Sequence, residues 1–404
     1  MVAVLSRILG VHNLALAEDV AQDAFCRALE VWKFRGMPEN PSAWLMATAK
    51  NRALDILRQR RTQKKFIPEL EHFFENDRAM TNSVEDMFEP SAIKDSLLGM
   101  MFSCCHSRLR EDAQIALVLN ILCGFSVKEI AGAFVDSIAA VEKRLARSKK
   151  TLATSSKLFD VTSPENFLSR LPSVHRALYL LFNEGYHGAS PETAVRAGLC
   201  AEAMRLTAVL LDHHLGATPE SFALAALMSF GAARLPARVG AGGQLLPMAD
   251  QDRSLWDQGR IREGQNLLNL SASGDQVSTY HLEAAIASQH ALAPHPRATD
   301  WTMITQLYDS LAALRPNPIV FLNRAIAIAW RDGPERGLQE ILAIADLDRL
   351  ASYPFLAATR AELELQCGRS DAAVAYFTQA RDKARNAMER QFYDQKIKQY
   401  GANL

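Results

Sequence analysis

Apolar residues recur every three to four positions along most of this chain, which predicts helices rather than strands. Residues 14–32, LALAEDVAQDAFCRALEVW, put Leu16, Val20, Ala24, Leu29 and Trp32 on one helical face and Glu18, Asp19, Gln22 and Asp23 on the other. The next stretch, GMPENPSAW (36–44), carries two prolines and a glycine and predicts a loop. The pattern resumes in AWLMATAKNRALDILRQRR (43–61), with Ser42 as its cap and a buried stripe of Leu45, Ala49, Ala53, Ile56 and Leu57. Lys50, Asn51, Asp55, Arg58 and Arg61 take the opposite face. Further helices are predicted over 92–106, 111–123, 127–134 and 138–153. The last two are joined by a short turn, 135–137, and the first of them opens with a capping box, Ser126 and Glu129. Ile130, Ala131, Val141 and Leu145 turn inward, which makes the pair a helix-turn-helix. Its second helix then faces outward with Glu142, Lys143, Arg144, Arg147, Lys149 and Lys150.

From about Ser163 the chain stays helical, so the whole reads as an all-α protein. Three helix starts share a hydroxyl cap followed by Pro and Glu: Ser163-Pro164-Glu165, Ser190-Pro191-Glu192 and Thr218-Pro219-Glu220. The glycine-containing loop at 240–243 follows no strand and lacks the spacing of a phosphate loop, so it predicts a tight turn. Toward the C-terminus Ala325, Gly337, Ile341 and Ile344 recur 36 positions later as Ala361, Ala373, Phe377 and Ala380. Small residues in one helix facing small and aromatic residues in the next are the packing signature of tetratricopeptide-like helix pairs, here over about 317–385.

Composition narrows the function. The net charge of the 404 residues is zero, so nucleic-acid binding requires local patches. Such patches exist. Between Lys50 and Lys65 lie seven basic residues (Lys50, Arg52, Arg58, Arg60, Arg61, Lys64, Lys65) against Asp55, while 66–103 holds eight acids against Arg78 and Lys94. From the basic helix alone two readings stay open, a solvated surface and a nucleic-acid interface. No apolar run is long enough to span a membrane, and MVAVLSRILGVHN is too short and too weakly basic for a signal peptide. The six cysteines are scattered, which suits a reducing cytoplasm. Cys104-Cys105-His106 predicts buried packing rather than zinc, because adjacent cysteines chelate poorly and no second pair follows. No metal or cofactor is expected.

In their order, the acidic-faced helix, the basic helix with Asn51, the acidic linker and the helix-turn-helix resemble the sigma factors of bacterial RNA polymerase. The closest type is the extracytoplasmic-function class, which keeps only regions 2 and 4. AEDVAQDAF (17–25) is similar to region 2.2, residues 43–61 to regions 2.3 and 2.4, and residues 111–152 to region 4. FSCCHSRL (102–109), LYLLFNEGYHGAS (178–190), LLPMADQDRSLWD (245–257) and the tetratricopeptide-like tail resemble a subgroup with a large helical C-terminal extension. The resemblance divides the chain into region 2 (1–65), an acidic linker (66–95), region 4 (96–156) and a helical C-terminal domain (160–404). It implies that Asp19, Gln22 and Asp23 contact core RNA polymerase. Lys50, Asn51, Arg52 and Arg58 would hold the melted minus-ten element, with Asn40 in the loop 37–42 that cradles a flipped base. Glu142, Lys143, Arg144, Arg147 and Lys150 would meet the minus-thirty-five element. The linker would thread the polymerase's positively charged interior.

Two departures stand out. MVAVLSRILG resembles the middle of the first region 2 helix, which leaves two alternatives, a start placed too far downstream or a clipped region 2. Position 142 holds an acid where many sigma factors place a base; a carboxylate accepts from cytosine N4, which alters promoter preference. The implied function is a promoter-specificity subunit, not an enzyme, acting in the cytoplasm on promoter DNA, with a C-terminal domain that binds a regulatory protein and no membrane contact. Two other readings compete. A stand-alone helix-turn-helix regulator with a repeat-type sensor leaves the acidic and basic helices without purpose. An enzyme in the C-terminal domain finds His175, His187, His213, His214, Glu184 and Tyr186, but no ligand or acid–base spacing among them.

Overall fold

Local punctuation in the sequence places the helices. Proline stands at the first turn of many of them, where its missing N–H costs nothing, and hydroxyl, carboxylate or amide side chains cap several. In the structure, a computed structural model, residues 1–10, 13–63, 84–106, 108–134, 136–154, 164–187, 195–240 and 244–401 are described. Among them there is no strand, only an isolated bridge between Val239 and Leu245, and the fold is all-α. No described helix is long and apolar enough to cross a membrane. The chain forms two compact units, 1–131 with 136–177, and 132–135 with 178–404.

The first unit opens with α1 (Val2–Leu9), α2 (Leu14–Arg35) and α3 (Pro41–Gln63). They meet through small residues: Ala17, Ala21, Ala24, Ala49 and Ala53 let the backbones approach around Leu5, Leu9 and Val20. Leu45, Ile56 and Leu57 pack at the margin of this core, as the helical period predicts. One expectation fails here. The buried stripe of α2 runs through Leu14, Ala17, Ala21, Ala24 and Ala28, and this rotation leaves Leu29 74% exposed. Close helix approach selects alanines, not the largest apolar side chain.

The helix α4 (Pro90–Cys104) packs on α1, where Arg7 Nη1 donates to Ser96 Oγ at 3.4 Å. The predicted helix 111–123 proves to be two pieces, α5 (Glu111–Leu117) and a π-helical turn, Val118–Leu122. In that turn Cys123 N–H donates to Val118 O, and Asn120 Nδ2 closes it by donating to Phe125 O at 2.9 Å. Gly124, with φ 71°, then reverses the chain. α6 (Val127–Phe134) and α7 (Ile138–Ala153) come next at the predicted bounds, with Ile130, Ala131, Val141 and Leu145 all buried between them. α8 (Pro164–His187) begins at the predicted proline, and its Phe167 ring lies 4.2 Å from Phe102 within this unit.

The second unit is built of packed helix pairs. α9 (Ala197–Leu211) precedes α10 (Pro219–Ala233), which is capped by Thr218 as predicted, Ser221 N–H donating to its Oγ1 at 3.2 Å. The corresponding start at 190–192 lies outside the described residues. After α11 (Leu235–Arg238), Gly240 N–H donates to Gln244 O at 2.8 Å, closing the predicted turn, whose interior is not described. α10 lies against α12 (Gln258–Ser271) and α13 (Thr279–Leu292). Gly264 permits the approach: a Cβ there would stand 2.8 Å from the Phe230 ring. α14 (Trp301–Leu314) leads to two helical hairpins, α15 (Pro318–Asp332) with α16 (Pro334–Leu342), and α17 (Pro354–Gln366) with α18 (Ser370–Asp382). α19 (Ala387–Gly401) closes the unit. All eight positions of the 36-residue repeat are buried, and Gly337 sits where a Cβ would come within 2.4 Å of Ala329.

Candidate nucleic-acid interface

The site is assembled from α2, α3 and the loop between them. Gly36, with φ 76°, ends α2, and its N–H donates to Trp32 O. The chain then enters α3 at Asn40 rather than Ser42. Asn40 Oδ1 accepts from Ala43 N–H at 3.0 Å, and Pro41 stands at the first helical position. Trp44 packs edge-on to Trp32 at 5.5 Å and fixes the entry. Asn40 thus serves as a cap and is exposed.

Along α3 the polar face points to solvent as expected. Asn51 is exposed. Lys50 lies 3.5 Å from Glu85, Arg52 3.5 Å from Asp23 on α2, and Arg58 3.7 Å from Asp55. These are long, solvent-facing pairs, each worth about 0–1 kcal/mol, and a phosphate exchanges readily for the carboxylate in such a pair. The side chains of Arg60, Arg61, Lys64 and Lys65 are not described. On α2, Asp19, Gln22 and Asp23 share the outer face with two residues that the pattern analysis did not place there, Phe25 (53% exposed) and Leu29. The signal was available: positions 22, 25, 26 and 29 have helical spacing on one face.

The helix-turn-helix is pinned by its caps. Ser126 N–H and Oγ–H donate to Glu129 Oε2 at 2.8 and 2.7 Å, Glu129 N–H returns to Ser126 Oγ at 3.3 Å, and Ala140 N–H donates to Ser137 Oγ at 3.2 Å. Glu142, Lys143, Arg147 and Lys150 are exposed on α7. Two residues read as outward face the protein instead. Arg144 pairs with Asp136 at 2.6 Å and Asp112 at 3.3 Å, and its guanidinium holds the Asp136 carboxyl below the usual range. Lys149 reaches Glu18 on α2 at 2.6 Å. Both flank the buried stripe of Val141, Leu145, Ser148 and Leu152, so neighbouring carboxylates capture them.

Cys104 and Cys105 are buried, and burial pushes the Cys105 thiol up to about 12. Among the described residues no three His, Cys, Asp or Glu side chains are placed to hold a metal ion. Of the C-terminal residues weighed as catalytic, Glu184 is ion-paired with Arg196, and the His213 and His214 rings lie 4.6 Å apart, tilted by 33°. His175 is fully buried.

Comparison with known proteins gives three family matches along the chain. Residues 1–63 match sigma-70 region 2 and residues 99–152 match sigma-70 region 4. Residues 170–272 match a family of unknown function, DUF6596. An uncharacterized protein of Rhizobium meliloti (strain 1021) is 36% identical over 378 residues, which cover 94% of this chain and 88% of that protein.

Proposed function

Because this chain belongs to the sigma-70 family, as an extracytoplasmic-function-like sigma factor with a C-terminal extension and a role in promoter recognition, we propose that it binds core RNA polymerase and starts transcription at promoters with defined minus-thirty-five and minus-ten elements. The observation that carries polymerase binding is the outer face of α2. There Phe25 and Leu29 stand exposed beside Asp19, Gln22 and Asp23. Large apolar side chains kept in water next to acids and an amide mark a protein-docking surface rather than a solvated one.

In this reading Lys50, Asn51, Arg52 and Arg58 of α3, with the amide of Asn40, hold the unpaired minus-ten strand. Glu142, Lys143, Arg147 and Lys150 of α7 meet the minus-thirty-five duplex, and Arg144 orients the helix through Asp136 and Asp112. Regions 2 and 4 occupy about 1–65 and 96–156, with the acidic linker 66–95 between them. The chain carries out no catalytic step of its own; it works in the cytoplasm by positioning polymerase. Residues from about 160 onward form a regulatory domain, whose tetratricopeptide-like hairpins offer a surface for a partner protein. Phe167 packs on Phe102 within the first unit, so a deletion that spares this unit begins after residue 177, not at residue 160.

The test is in vitro transcription with bacterial core polymerase on a promoter library. Discrete transcripts from a shared pair of elements are expected. Duplex DNA binding without core-polymerase binding would replace this reading with a stand-alone regulator.

A further inference from the structure

Three arginines of the second unit are gathered around two aromatic rings. Arg238 is 6% exposed; its Nε donates to Tyr186 O at 3.0 Å, its Nη2 lies 2.9 Å from His187 Nδ1, and its guanidinium stands 4.1 Å from the Tyr186 ring centre. Arg234 lies between the rings of Tyr186 (5.8 Å) and Trp256 (5.6 Å), and its Nε donates to Gln251 Oε1 at 3.3 Å. Arg253 covers Trp256 at 4.7 Å and donates to the carbonyls of His290 and Ala293 at 2.7 and 2.5 Å.

None of the three is paired with a carboxylate among the described residues. Buried or half-buried cations are normally paired, and other arginines of the same unit obey the rule: Arg196 with Glu184, Arg324 with Asp309 and Glu340, Arg385 with Glu389. The cluster is also short of acceptors. The Trp256 Nε1 and Arg253 Nε donors are buried without a hydrogen-bond partner. Burial, with Arg234 and Arg253 nearby, pushes His290 down to about 3, so this histidine stays neutral and adds no charge.

Arg234, Tyr186 and His187 line a cavity of about 140 Å³ together with Phe182, Leu227 and Phe230. One carboxylate, Glu283, also lines it and lies beside Tyr308. The volume is close to the ~150 Å³ of a cavity that accepts benzene. Apolar walls with a few convergent polar groups are the ordinary makeup of a small-molecule site. A guanidinium fork selects a carboxylate by two parallel hydrogen bonds.

We propose that this cavity binds a small organic carboxylate with an apolar body, the carboxylate received by Arg234 with Arg238 and His187 behind it, the body lying against Phe182 and Phe230. The site draws on segments that promoter recognition leaves without a role: 178–190 supplies Tyr186 and His187, and 245–257 supplies Gln251, Arg253 and Trp256. Gln251 Oε1 and the Trp256 ring hold Arg234 in place. The proposal does not depend on polymerase binding.

The test is calorimetric titration of the full-length protein with benzoate and isobutyrate, with benzamide as the neutral match for benzoate and inorganic phosphate as an anion without an apolar body. Saturable binding of at least one carboxylate is expected, with the neutral match weaker by roughly tenfold or more, since only the charge-assisted bonds are lost. Arg234→Gln is expected to weaken carboxylate binding by about tenfold or more, while Arg260→Gln, which removes an arginine already paired with Glu263, leaves it unchanged. The idea fails if neither carboxylate binds, if benzamide equals benzoate, or if phosphate alone binds. It fails equally if a folded Arg234→Gln variant binds like the parent. Should that variant not fold, the benzoate–benzamide comparison on the parent protein decides.

Discussion

Two groups of cations, one in each unit, are placed in opposite senses. In the first, Arg52, Lys143, Arg147 and Lys150 stand on the outer faces of regular helices, in water or in long pairs. In the second, Arg234, Arg238 and Arg253 turn inward onto Tyr186 and Trp256, and none of them is ion-paired with a carboxylate among the described residues. A row of outward charges on a helix suits a polyanion, whose many phosphates exchange with counterions and need only a stripe. Inward charges against rings suit one small anion, held where water is scarce and each bond is stronger. The same positive charge thus suits a polymer in one arrangement and a small anion in the other.

The largest effect that would break this contrast lies on α2. Phe25→Asp with Leu29→Asp is expected to lower core-polymerase affinity by roughly a hundredfold, since central apolar anchors dominate such interfaces, while the thermal midpoint barely moves because both side chains are already exposed. Unchanged pull-down of core polymerase would rule out α2 as the docking face. Next comes α7. Lys143→Ala with Arg147→Ala is expected to weaken promoter-duplex binding by about tenfold and to flatten the log–log salt dependence by about two; an unaltered slope in fluorescence anisotropy would mean these side chains touch no phosphate.

A pH experiment sharpens the inward side. His290 titrates near 3 in the folded protein and near 6.5 when unfolded, so the unfolded chain binds the extra proton between those values. Its contribution is complete above about pH 6.5 and lost as the pH falls toward 3, at roughly 1.4 kcal/mol per unit from this one group. Denaturant melts at pH 7, 6 and 5 should show His290→Gln with a shallower acid slope than the parent, and parallel slopes would contradict the assigned burial. The smallest effect concerns Glu18 and Lys149, which join α2 to α7 at 2.6 Å. A double-mutant cycle with Glu18→Gln and Lys149→Gln is expected to give a coupling of about 0.5–1 kcal/mol, partly screened by salt. Zero coupling would show the pair to be incidental.

Legibility in the sequence depends on how local each determinant is. The bounds of α6 and α7 were readable because Ser126, Glu129 and Ser137 act within three residues of where they stand. Asn40 was overlooked as a cap because Asn-Pro-Ser offers two candidates; proline at the first helical position decides for the asparagine. Leu29 was misplaced because hydrophobicity does not reveal that alanines line the closest helix crossing. Arg144 looked outward until Asp112, 32 residues upstream, was brought beside it. The arginine cavity was not legible as a site, since its lining comes from α8, α10 and α13 and its supporting residues from the segment 245–257, stretches that only the fold brings together.

One consequence of the π-helical turn at Val118–Leu122 concerns chain length. A π turn is an α-helix that has absorbed one residue while the helix beyond it keeps its rotation. Here it separates α5, which carries Asp112 as a partner of Arg144, from the Ser126 cap that starts the helix-turn-helix. Loss of one residue inside 118–122 would convert the turn to α-helical bonding and keep the phase on both sides. The same loss two residues later, beyond Cys123, would pull on Gly124 and swing the recognition helix. Length is therefore negotiable on one side of Cys123 and fixed on the other.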